Sequence, residues 1–143
     1  MSETSHRKLH SDLHPLLLQF QETTGQPLES VWRVYEAQSL DKIILQFASL
    51  TFTIEAEPDD DTIKFDVTSK QQPNKNWCQA SSFEPWSRVV GKPFSWGWLT
   101  INHLDAIDGI LLSFSGNTPQ VLVTVVGSSI KESIVLPVIT RTD

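Results

Sequence analysis

Hydrophobic positions recur at two different spacings along the chain, and the change of spacing separates a predicted helix from predicted strands. In the first part, apolar residues recur every three or four positions: Leu13, Leu16, Leu17 and Phe20. Pro15 suits a first helical turn because its missing N–H would have no partner there, and Gly25 can end a helix. The pattern predicts an amphipathic helix over residues 13–24 whose apolar face packs on the rest of the domain.

Beyond this helix the period changes to two, which is typical of half-buried β-strands. Alternating segments cover residues 29–68 and again residues 94–139, with clusters of turn residues between the segments. Strands joined by such short turns pair with their neighbours, so each series predicts an antiparallel β-meander.

The octapeptide LDKIILQF, residues 40–47, is echoed by IDGILLSF, residues 107–114, and each octapeptide is second in its series. Duplication of a meander explains the echo, but chance explains it too, because alternating Ile, Leu and Phe suits any half-buried strand. In both cases alternate side chains share one face of the strand, which we predict to be core. The residues on these faces are Ile43, Leu45 and Phe47, and Ile110, Leu112 and Phe114.

The connection between the two series, residues 69–93, lacks a strand pattern and is longer than compact domains usually leave structureless. Ser81 or Ser82 can cap a helix, Glu84 stands where a capping-box partner would, and Gly91 can end the helix. We therefore predict a short helix here that carries Trp86, Val89 and Val90, preceded by a loop over residues 69–80.

These elements predict one α+β domain over residues 1–143. Its N-terminal helix packs on a mainly antiparallel β-meander sheet, duplicated if the echo is a true repeat, with a short helix in the central connection.

The composition narrows the classes of partner. A formal net charge of −6 disfavours nucleic acid, whose phosphates are also negative, and is complementary to a basic protein. No apolar run approaches the ~18–20 residues that a membrane-spanning helix needs, so no membrane partner is predicted. The segment MSETSHRKLHSDLH lacks the apolar stretch of a secretory signal, and one cysteine forms no internal disulfide. Both features predict a cytoplasmic protein.

Metal and cofactor chemistry has little support in the sequence. Asp59, Asp60 and Asp61 read as a solvated turn, because consecutive residues do not converge on one cation. His6, His10 and His14 have helical spacing, but Pro15 moves the residue before it out of the helical region. Phosphate-binding, dinucleotide-binding and hydrolase motifs are absent, and Cys78 has no histidine near it in sequence. We predict no catalytic residue, no metal and no cofactor.

Two groups of residues are candidates for binding. Trp96 and Trp98 flank Gly97 on one predicted strand and form either part of the core or a platform for a ligand. The stretch NHLDAID that follows contains Asn102, His103 and Asp108, which form either a hydrogen-bonded hairpin turn or an acid–base cluster.

The stretches SWGWLTINHLDAIDGILLSF and VLVTVVGSSI resemble a family of small uncharacterised bacterial domains. In that family an aromatic strand leads through an Asn-containing turn to Asp, a strand ending in Phe, and a Ser-Ser-Ile strand. The matching residues are Trp98, Asn102, Asp108, Gly109, Phe114, Ser128, Ser129 and Ile130. The family often has Gly-Tyr where this chain has Asp105-Ala106. The resemblance implies no activity, beyond a loose similarity to immunity proteins encoded beside toxins.

Together these observations predict a non-catalytic module, regulatory or immunity-like, that binds a basic protein through an acidic and aromatic surface. One alternative is a small-ligand or enzymatic site around Trp96, Trp98, His103 and Asp108. Another is a homo-oligomer that pairs through exposed strand edges.

Overall fold

The structure is a computed structural model that describes residues 15–57 and 61–135. A helix, α1, covers residues 15–23 of the described part, and Gly25, with φ of 92°, follows it. The strands are β1 Ser30–Glu36, β2 Ser39–Gln46, β3 Leu50–Glu57, β4 Thr62–Ser69, β5 Cys78–Gln79, β6 Phe94–Ile101, β7 Ile107–Phe114, β8 Val121–Val126 and β9 Ser129–Ile134. The predicted start of the helix at Leu13 and the last predicted strand residues, 136–139, lie outside the described part.

All strand pairs are antiparallel, and they form two sheets. The first sheet has the order β4-β3-β2-β1-β5 and the second has the order β6-β7-β8-β9. Each sheet therefore contains a four-stranded meander, and the echoed octapeptides lie in β2 and β7, the second strand of each. The predicted antiparallel architecture is confirmed, and the fold is richer in strand than the α+β prediction implied.

The core lies between the two sheets, where β9 packs against β2 and β3 while β4 packs against β7 and β8. The predicted core faces are confirmed, because all six residues of the echoed strands are at most 1% exposed: Ile43, Leu45, Phe47, Ile110, Leu112 and Phe114. Apolar residues on one face of each strand leave water together, which is the main favourable term in folding.

Helix α1 enters this core through Phe20, whose ring lies within about 6 Å of four other rings, those of Phe52, Phe65, Phe94 and Trp96. Gly97 makes room for it, since a Cβ atom there would lie 2.7 Å from the Phe20 ring. The predicted apolar face is only partly correct. Phe20 and Thr23 are buried, whereas Leu17 is 41% exposed, because the helix touches the sheets along a narrower stripe than its sequence suggests.

The central connection differs from the prediction. Within the described residues it contains a three-residue 3-10 helix, Trp86–Arg88, and not the short helix that was expected to carry Trp86, Val89 and Val90. The segment predicted as loop supplies β5, which pairs with Trp32 and Arg33. Long-range backbone bonds determine this path: the Ala80 N–H donates to Val31 O at 2.8 Å, and the Gly91 N–H donates to Leu28 O at 2.7 Å.

A buried ion pair connects the two sheets and the connection. Arg33 on β1 contacts Glu132 on β9 at 2.8 Å, with side chains 16% and 9% exposed. Trp86 donates its indole N–H to the same carboxylate at 2.6 Å. The Glu132 carboxylate on β9 is therefore paired with a cation from β1 and a hydrogen-bond donor from the connection, as buried charges require.

The two echoed aspartates, Asp41 and Asp108, lie at equivalent β-bulges. In β2 the register passes from Val34↔Lys42 to Tyr35↔Leu40, so Asp41 is the extra residue of a bulge. In β7 the register passes from Thr100↔Gly109 to Ile101↔Ile107, so Asp108 is the extra residue there. The shared aspartate thus has a shared structural position. Duplication of the meander stays a hypothesis that this agreement supports.

Candidate functional site

The two candidate tryptophans lie on β6, an edge strand of the second sheet. Both are half-buried. Trp96 packs against the core, with its ring 5.9 Å from that of Phe20. Trp98 is paired with Leu111 in register, on the face opposite the buried Leu112.

Asn102 organises the turn between β6 and β7. Its Oδ1 accepts hydrogen bonds from the Leu104 N–H at 2.8 Å and the Ala106 N–H at 3.2 Å, which satisfies donors that the turn would otherwise expose. His103, the next residue, is exposed. The structure therefore gives Asn102 a role in the hairpin turn, and His103 faces solvent.

Asp108 follows this turn and accepts a hydrogen bond from the Thr100 hydroxyl at 2.7 Å. Gly109 allows that arrangement, since a Cβ atom there would lie 2.5 Å from the same hydroxyl oxygen. Asn102, His103 and Asp108 therefore sit close together at one turn. Two surface clefts lie on the first sheet, and none of the five candidate binding residues lines either of them.

The end of the molecule that carries these residues combines apolar and acidic side chains. We call it the turn end: the β6–β7 turn, the β8–β9 turn and Asp61, whose carboxylate accepts the Ser128 N–H at 2.8 Å. Large apolar side chains are exposed here: Ile101 by 44%, Leu104 by 72% and Val126 by 58%. The nearby carboxylates are those of Glu57, Asp61, Asp105 and Asp108. Lys64 lies further along β4, in register with Glu55, whereas Lys131 lies in the row of Thr100, Gly109 and Thr124, close to Asp108. Carboxylates therefore outnumber ammonium groups among the described residues of this end.

A second feature, which the sequence analysis missed, is a polar cleft on the outer face of the first sheet. It encloses about 340 Å³ between strands β1–β4 and the segment 71–77. Its floor contains the outward-facing rows of the sheet. Lys42, Glu55 and Lys64 are in register across β2, β3 and β4, and Ile44, Thr53 and Asp66 form the next row.

The segment above this floor is attached to it by hydrogen bonds. Gln46, buried on the outer face of β2, donates to the Gln71 carbonyl and accepts from the Trp32 indole N–H at 3.1 Å. The Gln71 N–H donates to the Thr51 hydroxyl at 3.2 Å, and the Trp77 ring lies 6.0 Å from that of Trp32. A second, more open concavity of about 440 Å³, lined by Tyr35, Asp41 and Lys75 among others, adjoins the cleft at the β1 edge.

The sequence contained one signal for this cleft. The outward positions of β2, β3 and β4 are polar or charged, which marks a solvated face, but any exposed sheet face has that pattern. The return of residues 71–77 over the face depends on contacts between residues 20 to 25 positions apart, and periodicity does not report them.

No group of three or more His, Cys, Asp or Glu side chains in residues 15–57 and 61–135 is arranged to hold a metal ion. His6, His10, His14, Asp59 and Asp60 lie outside those residues. Cys78 is exposed on β5. No helix in the described part is both long enough and apolar enough to span a bilayer.

The chain belongs to DUF6334, a family of unknown function, whose profile matches residues 13–139. The resemblance to a small uncharacterised domain family is thereby confirmed. No curated protein and no solved structure matches the chain.

Proposed function

We propose that this protein is a non-catalytic binding module whose turn end docks a basic protein partner. The observation that supports the proposal most directly is the exposure of Ile101, Leu104 and Val126 beside acidic side chains. Exposed apolar groups rimmed by polar ones are typical of protein interaction sites. Apolar contact would supply affinity, and the carboxylates would select a basic partner.

The charge of the whole chain acts in the same direction. A net charge of −6 attracts a basic protein before contact, and the carboxylates around the turn end orient that approach. A regulatory or toxin-neutralising interaction is the form of function that such a surface suits. The complex would be stoichiometric, and its association rate would fall as salt screens the charges.

Leu104 offers the sharpest test, because its side chain is the most exposed of the three and only its backbone N–H supports the turn. We would immobilise wild type, Leu104→Lys and Leu18→Lys, incubate each with lysate of the source cells, and identify retained proteins by mass spectrometry. Leu18 is the matched control, since it is 46% exposed on α1, far along the chain from the turn end.

We expect one basic protein to be retained by wild type and Leu18→Lys and lost by Leu104→Lys. With the purified partner, calorimetry should give a defined stoichiometry and an affinity at least about tenfold weaker for Leu104→Lys, which is about 1.4 kcal/mol. A partner that binds Leu104→Lys as well as wild type, or binding that salt does not affect, would show the proposal to be wrong. Finding no protein that distinguishes the two variants would also count against it.

A further inference from the structure

The polar cleft of the first sheet is separate from the turn end, and its lining has a different chemistry. We propose that it binds a small, uncharged, polyhydroxylated ring compound such as a neutral sugar. Its volume of about 340 Å³ falls within the range of small-molecule sites, about 300–1,000 Å³. The proposal does not depend on the partner of the turn end.

The charges in the cleft favour a neutral ligand. Two ammonium groups, Lys42 and Lys64, face two carboxylates, Glu55 and Asp66, so the formal charges cancel. The charges also alternate, because Glu55 lies between Lys42 and Lys64 in one row across the strands. An anion attracted by either lysine would meet Glu55, and a cation attracted by Glu55 would meet a lysine on each side.

Hydroxyl groups suit such a row because each one donates and accepts hydrogen bonds and can therefore pair with either sign of charge. The remaining polar lining is neutral and has the same double capacity, since it consists of hydroxyl and amide side chains: Thr53, Thr68, Gln71, Asn74 and Asn76. The side chains of Lys64 and Asp66 are exposed, and Lys64 makes no ion pair with any described residue, so both can bond a ligand.

One wall of the cleft is aromatic. Trp77 lines it, and its ring is held at 6.0 Å and 51° from that of Trp32, on a floor that includes Val34 and Ile44. An aromatic face opposite a set of hydrogen-bonding groups matches a sugar ring, which has an apolar C–H face and a polar rim. A small acyclic polar molecule would leave this wall unused.

Hydrogen bonds within the protein hold the segment that covers the cleft. Gln46 and Thr51 fix the position of Gln71, and the Trp77 N–H donates to Asn74 O at 3.1 Å within the covering segment. Binding would therefore not have to order a loop, which removes one of the main costs of association.

The experiment is a titration of the protein with a panel of neutral sugars: glucose, galactose, N-acetylglucosamine, maltose and sucrose. Inorganic phosphate, glutamate and spermidine serve as charged comparison compounds. Binding is followed by tryptophan fluorescence and by calorimetry, with wild type and Trp77→Ala. The matched control is Trp98→Ala, which removes a half-buried tryptophan from the other sheet. Lys64→Ala provides a cleft variant at an exposed position, where loss of folding is not expected.

We expect at least one sugar to bind saturably, with the affinity weakened at least about tenfold by Trp77→Ala and about threefold by Lys64→Ala. Trp98→Ala and Leu104→Lys should leave the affinity unchanged. The proposal is overturned if no sugar binds saturably or if a charged compound binds more tightly than every sugar. It is also overturned if Trp98→Ala weakens sugar binding more than Lys64→Ala does. Sugar binding that survives in Leu104→Lys separates this site from the turn end.

Discussion

The two meanders agree on their buried faces and differ on their outer faces. Inside, β2 and β7 bury the same residue types at the same relative positions. Outside, the first sheet carries alternating charges beneath the segment 71–77, whereas the second sheet carries a half-buried apolar row, Trp98, Leu111 and Leu122, in register across β6, β7 and β8. The core constrains one face of a strand and leaves the other free to diverge, and the polar cleft lies on an outer face that the second meander does not reproduce.

Replacing the core phenylalanine of each echoed strand tests whether the two buried faces are equivalent, and it should lower the free energy of unfolding more than any other change proposed below. We expect Phe47→Ala and Phe114→Ala each to lower the free energy of unfolding by about 3–5 kcal/mol, because each leaves a cavity in a packed core. The loss for Phe47→Ala should be near the upper end of this range, because the Phe47 ring centroid lies 4.7 Å from that of Phe52 and 5.7 Å from that of Phe94. Urea unfolding followed by tryptophan fluorescence measures both. A loss below about 1 kcal/mol at either position would mean that the two faces are not equivalent.

The buried polar residues of the outer faces should distinguish the sheets. Gln46 and Ser113 are in corresponding positions of the echoed strands, and both are buried. Gln46 makes hydrogen bonds with Ser30, Trp32 and the covering segment, whereas the Ser113 hydroxyl, within residues 15–57 and 61–135, donates only to Trp96 O at 3.3 Å.

We therefore expect Gln46→Ala to cost about 2–3 kcal/mol and Ser113→Ala about 1 kcal/mol in urea unfolding. Gln46→Ala should also increase hydrogen exchange at residues 71–77, because these residues lose their attachment to the sheet. Equal costs for the two variants, with no change in exchange, would show that Gln46 does not hold the segment.

Replacing the echoed aspartates should give the smallest difference in unfolding free energy between the two meanders. The Asp108 carboxylate accepts a hydrogen bond from Thr100, whereas the Asp41 carboxylate makes no hydrogen bond to another described residue. We expect Asp108→Ala to cost about 1 kcal/mol and Asp41→Ala no more than about 0.5 kcal/mol in the same unfolding measurement. The reverse order would mean that the bulge in β2 depends on its aspartate and that the two bulges are stabilised differently.

Much of the strand arrangement follows from the sequence, because alternation reports burial directly. The alternating segments LTFTIEAE and FSWGWLTI form β3 Leu50–Glu57 and β6 Phe94–Ile101, within the ranges 29–68 and 94–139 that alternation predicts to be strands. The prediction of a short helix in the central connection was wrong for a physical reason. Cap-like residues such as Ser82 and Glu84 favour only the first turn of a helix. The path of the chain beyond that turn depends on the burial of Trp86 and on the hydrogen bond from the Gly91 N–H to Leu28 O.

The candidate binding residues were predictable in part. The turn containing Asn102 lies where its sequence placed it, and the asparagine caps that turn as such residues do. The exposure of Leu104 and Val126 could not be read from the sequence, since a strand end looks the same whether its apolar residue faces core or solvent. The polar cleft depends on Gln46 meeting Gln71, a contact that needs the folded sheet to exist first.

The ion pair between Arg33 and Glu132 has a consequence for how the protein is made. The two residues are 99 positions apart. At about 5–20 residues per second, a ribosome would take about 5–20 s to pass from one to the other. For that interval β1–β4 can pair among themselves while the apolar face that later meets β9 has no cover. The nascent chain is then most vulnerable to association with other chains, and it is released from that risk only when the last strand of the second meander arrives.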